Sequence, residues 1–363
     1  MRGTPDNEVG GRDEAHRMKF WLHGFPIPTR SAPLARRAEG WGYEGILLAD
    51  SQLLVGDPYS ELALCAASTT TLRLGVGVTN PITRDPSVTA SAILTVHEES
   101  AGRAILGFGR GDSALKLIGK NPASVSETTR AIGSLKTYLG SDPSDPARGG
   151  MPPWASRDLD PVAIDVAATG PRMIGLAATS VDRVTFNMGA HVESLRWAIE
   201  TAREARRAAG LDPHGVPFGA YVDVHCSDDL DAAVGFVRGS VSIFANFLAE
   251  GAAAGTVVPD DDRSELTAVS RSYDEAAHGD SSAPQAVILS SAFVQRFALV
   301  GSPEQLIERI RQLESLGLDH LVLVPASRGA SEVAIEDSNE LIAAQVLPEF
   351  ARTPTAPRTT PAS

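Results

Sequence analysis

Leu72-Arg73-Leu74-Gly75-Val76-Gly77-Val78 is an almost unbroken run of apolar and glycine residues with no polar alternation. A strand with one solvated face alternates, whereas a strand covered on both faces reads like this one, and covering both faces takes helices. The helix start follows within a few residues. Asp85-Pro86 sets an acceptor side chain directly before a proline suited to the first helical position.

The same unit recurs along the chain. Residues 18–22, 46–49, 103–106, 161–167, 182–187, 216–224 and 318–325 predict further buried strands. Asp57-Pro58 repeats the helix start. Ser302-Pro303-Glu304-Gln305 is a capping box whose helix carries Leu306, Ile307, Ile310 and Leu313 on one face and stops at Gly317. Eight strands alternating with helices predict an α/β fold, a (β/α)8 TIM barrel over residues 18–350 with its site at the carboxyl ends of the strands. A doubly wound open sheet is the alternative, but the dinucleotide fingerprint fails: after Gly107 and Gly109, Asp112 stands at the third glycine position. An irregular passage at 141–160, and a stretch that reads as mainly helical over 228–250 and then polar and acidic over 259–282, are the expected insertions after strands four and seven. The ends, 1–17 and 351–363, carry few apolar residues and are expected to be loose.

Composition restricts function more than fold. With 43% hydrophobic and 21% charged residues the chain reads as soluble and globular, and its apolar runs are too interrupted to predict a membrane span. A formal net charge of −13 opposes nucleic-acid binding. Two cysteines, Cys65 and Cys226, fit buried thiols in a reducing, cytoplasmic setting. The eight histidines fall in no metal-ligand spacing, so no metal is expected.

The densest chemistry lies at the end of the fourth strand. Gly107-Phe108-Gly109-Arg110-Gly111-Asp112 precedes a helical pattern of Ala114, Leu115, Leu117 and Ile118. Its glycines let backbone approach a ligand, its N–H groups and Arg110 suit a phosphate or carbonyl, and Asp112 stands at the mouth either as a reacting carboxyl or as a plain helix cap. If the barrel closes, the other strand ends bring Phe25, Asp50, Ser51, Gln52, Thr79, Asn80, Thr169, Gly170 and Asn187 to the same side. Arg84 and Arg172 either join Arg110 around an anion or face water.

Six stretches carry a family resemblance: GYEGILLADS, LRLGVGVTNPITRDP, GRAILGFGRGDSALKLIGKNPASV, AATGPRMIGLAA with VDRVTFNMGA, and FALVGSPEQLIERIRQLESLGLDHLVLVP. They resemble the luciferase-like, flavin- or deazaflavin-dependent oxidoreductases, and the resemblance extends over about residues 18–350. The second and third are most similar to the branch containing the methylenetetrahydromethanopterin reductases, which use coenzyme F420.

The resemblance implies roles for particular residues. Gly77-Val78 matches the family's non-prolyl cis peptide behind the deazaflavin ring, with Thr79 following it and Asn80 on the pyrimidine side. Thr169, Gly170 and Pro171 match the phosphate site at a helix start, and Gly107, Gly109, Arg110 and Asn187 line the cofactor. Asp112 matches the carboxylate near the reactive carbon, and Phe25, Asp50 and Ser51 face the substrate. Where the family's sugar-phosphate dehydrogenases carry a histidine after the second-strand aspartate, this chain has Ser51. The activity implied is hydride transfer between reduced F420 and an electron-poor C=N, C=C or C=O carbon of a small molecule. The alternatives are an FMN-dependent monooxygenase and a non-catalytic flavin-binding barrel. The resemblance also implies a homodimer, paired through the helix around residues 61–68.

Overall fold

The computed structural model describes residues 17–325 and 327–351. Eight parallel strands close on themselves: β1 (Lys19–Gly24), β2 (Gly45–Leu48), β3 (Arg73–Thr79), β4 (Ala104–Phe108), β5 (Ala163–Ala168), β6 (Arg183–Phe186) and β7 (Phe218–Cys226) in chain order, then β9 (His320–Val324). β9 pairs with both β7 and β1, Lys19 lying opposite His320, so the sheet has no open edge there. The expected barrel is the observed one, and the open-sheet alternative falls. A short strand that the sequence reading did not anticipate, β8 (Leu299–Gly301), extends the end of β7 in parallel, with Val224 opposite Leu299. Three residues flanked by helices leave no periodicity to read.

Helix starts obey the caps. Asp57 accepts from the Ser60 N–H at 2.9 Å and Asp85 from the Ser87 N–H at 2.8 Å, each with proline at the first turn. The capping box of Ser302 and Gln305 forms, and Gly317 beyond that helix has φ +96°, which suits glycine. Apolar side chains fill the layer between strands and helices, Cys65 and Cys226 among them as buried thiols. Inside the barrel a smaller apolar group, Trp21, Leu47, Ile105, Tyr221, Val322 and Val324, sits near a polar plug. In that plug Arg183 donates to Asp165 at 2.7 Å and lies 4.2 Å from the Trp21 ring centre, and Thr185 Oγ1 lies 2.9 Å from His320 Nε2. Burial holds the His320 ring well below the usual histidine range, so it is neutral.

Both insertions are present. After β4 a one-turn helix, Ser113–Lys116, and the helix Val125–Leu139 lead into the irregular 141–160 passage. After β7 comes a 24-residue helix, Leu230–Ala253, followed by Asp260–Ser272, a helix that the acidic composition of its stretch concealed. The long helix corrects the expectation that no segment is long enough to cross a membrane, because by length and hydropathy it qualifies. Its apolar character serves packing: Val234, Val237, Val241, Ala245 and Leu248 are buried against the barrel and its neighbours. The ends expected to be loose lie outside the described residues, Arg17 and Ala351 excepted.

Candidate active site

A cavity of about 1120 Å³ opens over the carboxyl ends of the strands, between the barrel and the insertion after β7. Its lining includes Phe25, Asp50, Ser51, Val78, Asn80, Gly109, Arg110, Asp112, Thr169, Gly170 and Asn187, so most residues chosen from the sequence do converge. Five of them do not line it: Gln52 turns instead to donate to the Ala114 carbonyl. Gly77, Thr79, Gly107 and Pro171 stand just behind the wall and shape it.

The shaping begins at β3. Its pairing with β4 shifts register between Val76 and Thr79, so that Gly77 and Val78 together oppose Gly107. Such a bulge bends the strand and re-aims a side chain, here Val78, into the cavity. The Tyr221 hydroxyl donates to the Gly77 carbonyl at 2.6 Å and holds the bulge from across the barrel. The cis peptide expected at Gly77-Val78 is not there: the described peptide bonds are all trans, and the extra residue of the bulge alone redirects the chain. Gly107 is glycine for a packing reason, since a Cβ would run into the carbonyl oxygens of Val76 and Gly77. Thr79 is fully buried and donates to Asp50 Oδ2 at 2.7 Å, orienting a carboxyl that burial pushes above its usual range.

Asn80 and Asn187 bring complementary polar groups to the lining. Asn80 Oδ1 accepts from the N–H groups of Ile82 and Thr83, both at 3.0 Å, which leaves its amide N–H₂ for a ligand. Asn187 Oδ1 is buried and has no partner, an acceptor waiting for a donor. Thr169 and Gly170 lead into the helix Pro171–Ser180, whose first-turn N–H groups lack acceptors of their own.

Asp112 does not meet the plain helix-cap reading. It occupies the N-cap position of Ser113–Lys116, yet its side chain makes no capping hydrogen bond. Its Oδ1 lies instead 2.7 Å from Lys116 Nζ. Burial, then the nearby Glu250 carboxylate, pushes its pKa up to about 6 against the pull of Lys116. The arginines divide. Arg110 lines the cavity and donates to the Ala123 carbonyl, Arg84 is held by Asp57 and lies 3.8 Å from Asp50, and Arg172 is exposed outside the cavity.

The structure adds cavity residues that the sequence did not disclose. His23, at the end of β1, is pushed down to about 4 by burial, and its Nδ1 has no partner. Phe244 and Phe247 reach in from the long helix, Phe244 stacked on Tyr221 with centroids 6.0 Å apart. Glu250 and His278 come from the same insertion. His23 had a detectable signal, a polar residue directly after a predicted strand, but nothing local marks the others.

A closed parallel barrel whose strand ends open into a large cavity, with a half-buried carboxyl of raised proton affinity at its wall, is the architecture of a (β/α)8-barrel enzyme. The chain belongs to the luciferase-like monooxygenase family, which it matches over residues 24–320. It is similar to the 5,10-methylenetetrahydromethanopterin reductase of Methanolobus tindarius, 29% identical over 315 residues, which cover 84% of this chain and 93% of that protein. The reductase of the same name from Archaeoglobus fulgidus is 30% identical over 277 residues, 73% of this chain and 80% of the relative. The solved structure of the coenzyme F420 dependent tetrahydromethanopterin reductase from Methanopyrus kandleri shares the fold with a TM-score of 0.70 at 22% identity, covering 92% of this chain and 99% of that one.

Proposed function

We propose that the protein is an F420-dependent oxidoreductase that transfers a hydride between reduced deazaflavin and an electron-poor C=N, C=C or C=O carbon of a small organic substrate. The relatives named as methylenetetrahydromethanopterin reductases support the reaction class. The observation that carries the reading at the level of this chain is the Asp112 carboxyl, which makes no capping hydrogen bond, pairs with Lys116 and lines the cavity.

The residues present fit the cofactor. A deazaflavin offers two apolar ring faces and a pyrimidine edge of carbonyl and N–H groups. Val78, Ala167 and Phe244 supply apolar walls, while Asn80 N–H₂ and the orphaned Asn187 Oδ1 supply the complementary donor and acceptor. The first turn after Gly170 and the Arg110 side chain suit a phosphate. Bound in its reduced form, F420 supplies the hydride. The protein's part is to hold the two carbons together, exclude water, and keep at an Asp112 oxygen the proton that accompanies the hydride. Neutral His23, beside Phe25 with ring centroids 5.5 Å apart, and buried Asp50 orient the substrate from the β1 and β2 side.

The chain works as a cytoplasmic homodimer in this reading. Leu64 and Val88, both about half exposed on the adjacent helices Pro58–Ser68 and Pro86–Glu99, give a second copy an apolar surface to cover. The experiment for the reaction class is anaerobic oxidation of reduced F420 in the presence of small iminium, enone and ketone substrates, compared with oxygen consumption driven by reduced FMN. Anaerobic turnover with F420 supports the reading. Oxygen consumption with FMN alone would transfer the protein to the monooxygenases that its family name describes.

A further inference from the structure

Lys116 stands one helical turn beyond Asp112 and gathers carboxylates from three separate segments. Its Nζ lies 2.7 Å from Asp112 Oδ1, 2.8 Å from Glu250 Oε1 and 3.6 Å from Glu275 Oε1. Glu250 belongs to the long helix Leu230–Ala253 and Glu275 to the turn Glu275–Ala277, both in the insertion after β7. One ammonium thus faces three carboxyl groups in a half-buried setting, where like charges at close range favour retention of a proton. Asp112 has the least exposed side chain of the three, at 21% against 44% for Glu250 and 29% for Glu275, so the ionised form is penalised most there.

The surrounding groups do not cancel that imbalance. His278 Nδ1 lies 2.9 Å from the Tyr273 hydroxyl and 3.8 Å from Glu275 Oε2, but burial pushes its pKa down to about 4, so it adds no second cation. The Tyr273 phenol is itself pushed up, by burial and by these carboxylates, and stays neutral. Arg328 donates to the Ala276 carbonyl at 3.2 Å, and Asp274 adds negative charge beside Glu275.

We propose that Lys116, Glu250 and Glu275 are positioning residues that set the proton affinity of Asp112, so that the insertion after β7 governs the proton that accompanies the hydride. This rests on the reading of Asp112 as the proton donor. The physical content is a pair of opposite signs. Lys116 stabilises the Asp112 carboxylate, so removing its charge raises the affinity for the proton; Glu250 destabilises the carboxylate, so removing its charge lowers it.

The test reads Asp112 directly. In the intact protein the infrared carbonyl stretch of protonated Asp112, identified by its loss in Asp112→Asn, is followed against pH. The parent midpoint is expected near 6. Lys116→Met is expected to raise it by about one pH unit or more, Glu250→Gln to lower it by roughly half a unit to one unit, and Lys116→Arg to leave it near the parent value. Equal midpoints in all four proteins, or shifts of one sign in Lys116→Met and Glu250→Gln, overturn the proposal. If Lys116→Met fails to fold, the near-isosteric Glu250→Gln still decides, since an unmoved midpoint there is sufficient to reject it. Full turnover in Asp112→Asn together with the opposite shifts would remove the donor role of Asp112 and leave the coupling standing, so the two failures are distinguishable.

Discussion

Replacing Asp112 by asparagine keeps the size and shape of the side chain and removes only its capacity to hold and release a proton. With a pKa of about 6, Asp112 is protonated in roughly a tenth of molecules at neutral pH, enough for a general acid to act and be refilled. General acid–base catalysis is typically worth about 10²–10⁴-fold, or about 3–5 kcal/mol of transition-state stabilisation. The stability cost has no such scale. The side chain caps nothing, and Lys116 keeps Glu250 and Glu275 as partners when the Asp112 charge is removed. The sign of the pH dependence follows from the raised proton affinity: the favourable contribution of protonated Asp112 to the fold is full below 3.8 and is lost as pH rises through about 6. Asp112→Asn should therefore melt within a few degrees of the parent at neutral pH, with a flatter stability profile across that window. Its oxidation of reduced F420 by a working substrate, followed by absorbance, should fall by at least about tenfold. A variant that turns over as fast as the parent across that pH range would refute the reasoning.

Other expectations follow from packing and from the polar lining. Gly107→Ala should destabilise the protein by about 1–3 kcal/mol in a denaturant titration, because the added methyl meets backbone oxygens of the bulge, which cannot turn away. Asn187→Leu removes an acceptor with no partner inside the protein, so stability should hold or rise while F420 affinity, read by fluorescence, falls by about 5–10-fold. Sedimentation at micromolar concentration should give twice the 38.1 kDa chain mass, and a Leu64→Glu variant should give the single-chain mass.

The eight barrel strands were legible because each is buried on both faces and writes that burial locally, as residues 72–78 do. Two helix starts were legible because Asp57 and Asp85 stand before a proline between a strand pattern and a helical one; the same pair at Asp142-Pro143 and Asp212-Pro213 makes turns instead. What escaped was either too short, like β8, or too sparing of apolar residues to show a periodic face, like the helix Asp260–Ser272, which buries only Leu266 and Val269 among its large apolar side chains. The site was half legible for a related reason. Strand ends mark themselves in sequence, so Phe25, Asp50, Asn80, Asp112 and Asn187 could be collected in advance. Lys116 and Glu250 are 134 positions apart, and Tyr221 reaches a carbonyl 144 positions away; those meetings are made only when the barrel closes. Analogy misled at Gly77-Val78, where a bulge with trans peptide bonds shapes the wall.

If the cavity is a deazaflavin site, a paired titration will distinguish F420 from FMN. Purified protein is titrated separately with F420 and with FMN, following cofactor absorbance and fluorescence. F420 should bind saturably and FMN markedly more weakly, with the F420 affinity reduced in Asn187→Leu. Tighter binding of FMN than of F420 would contradict the deazaflavin assignment.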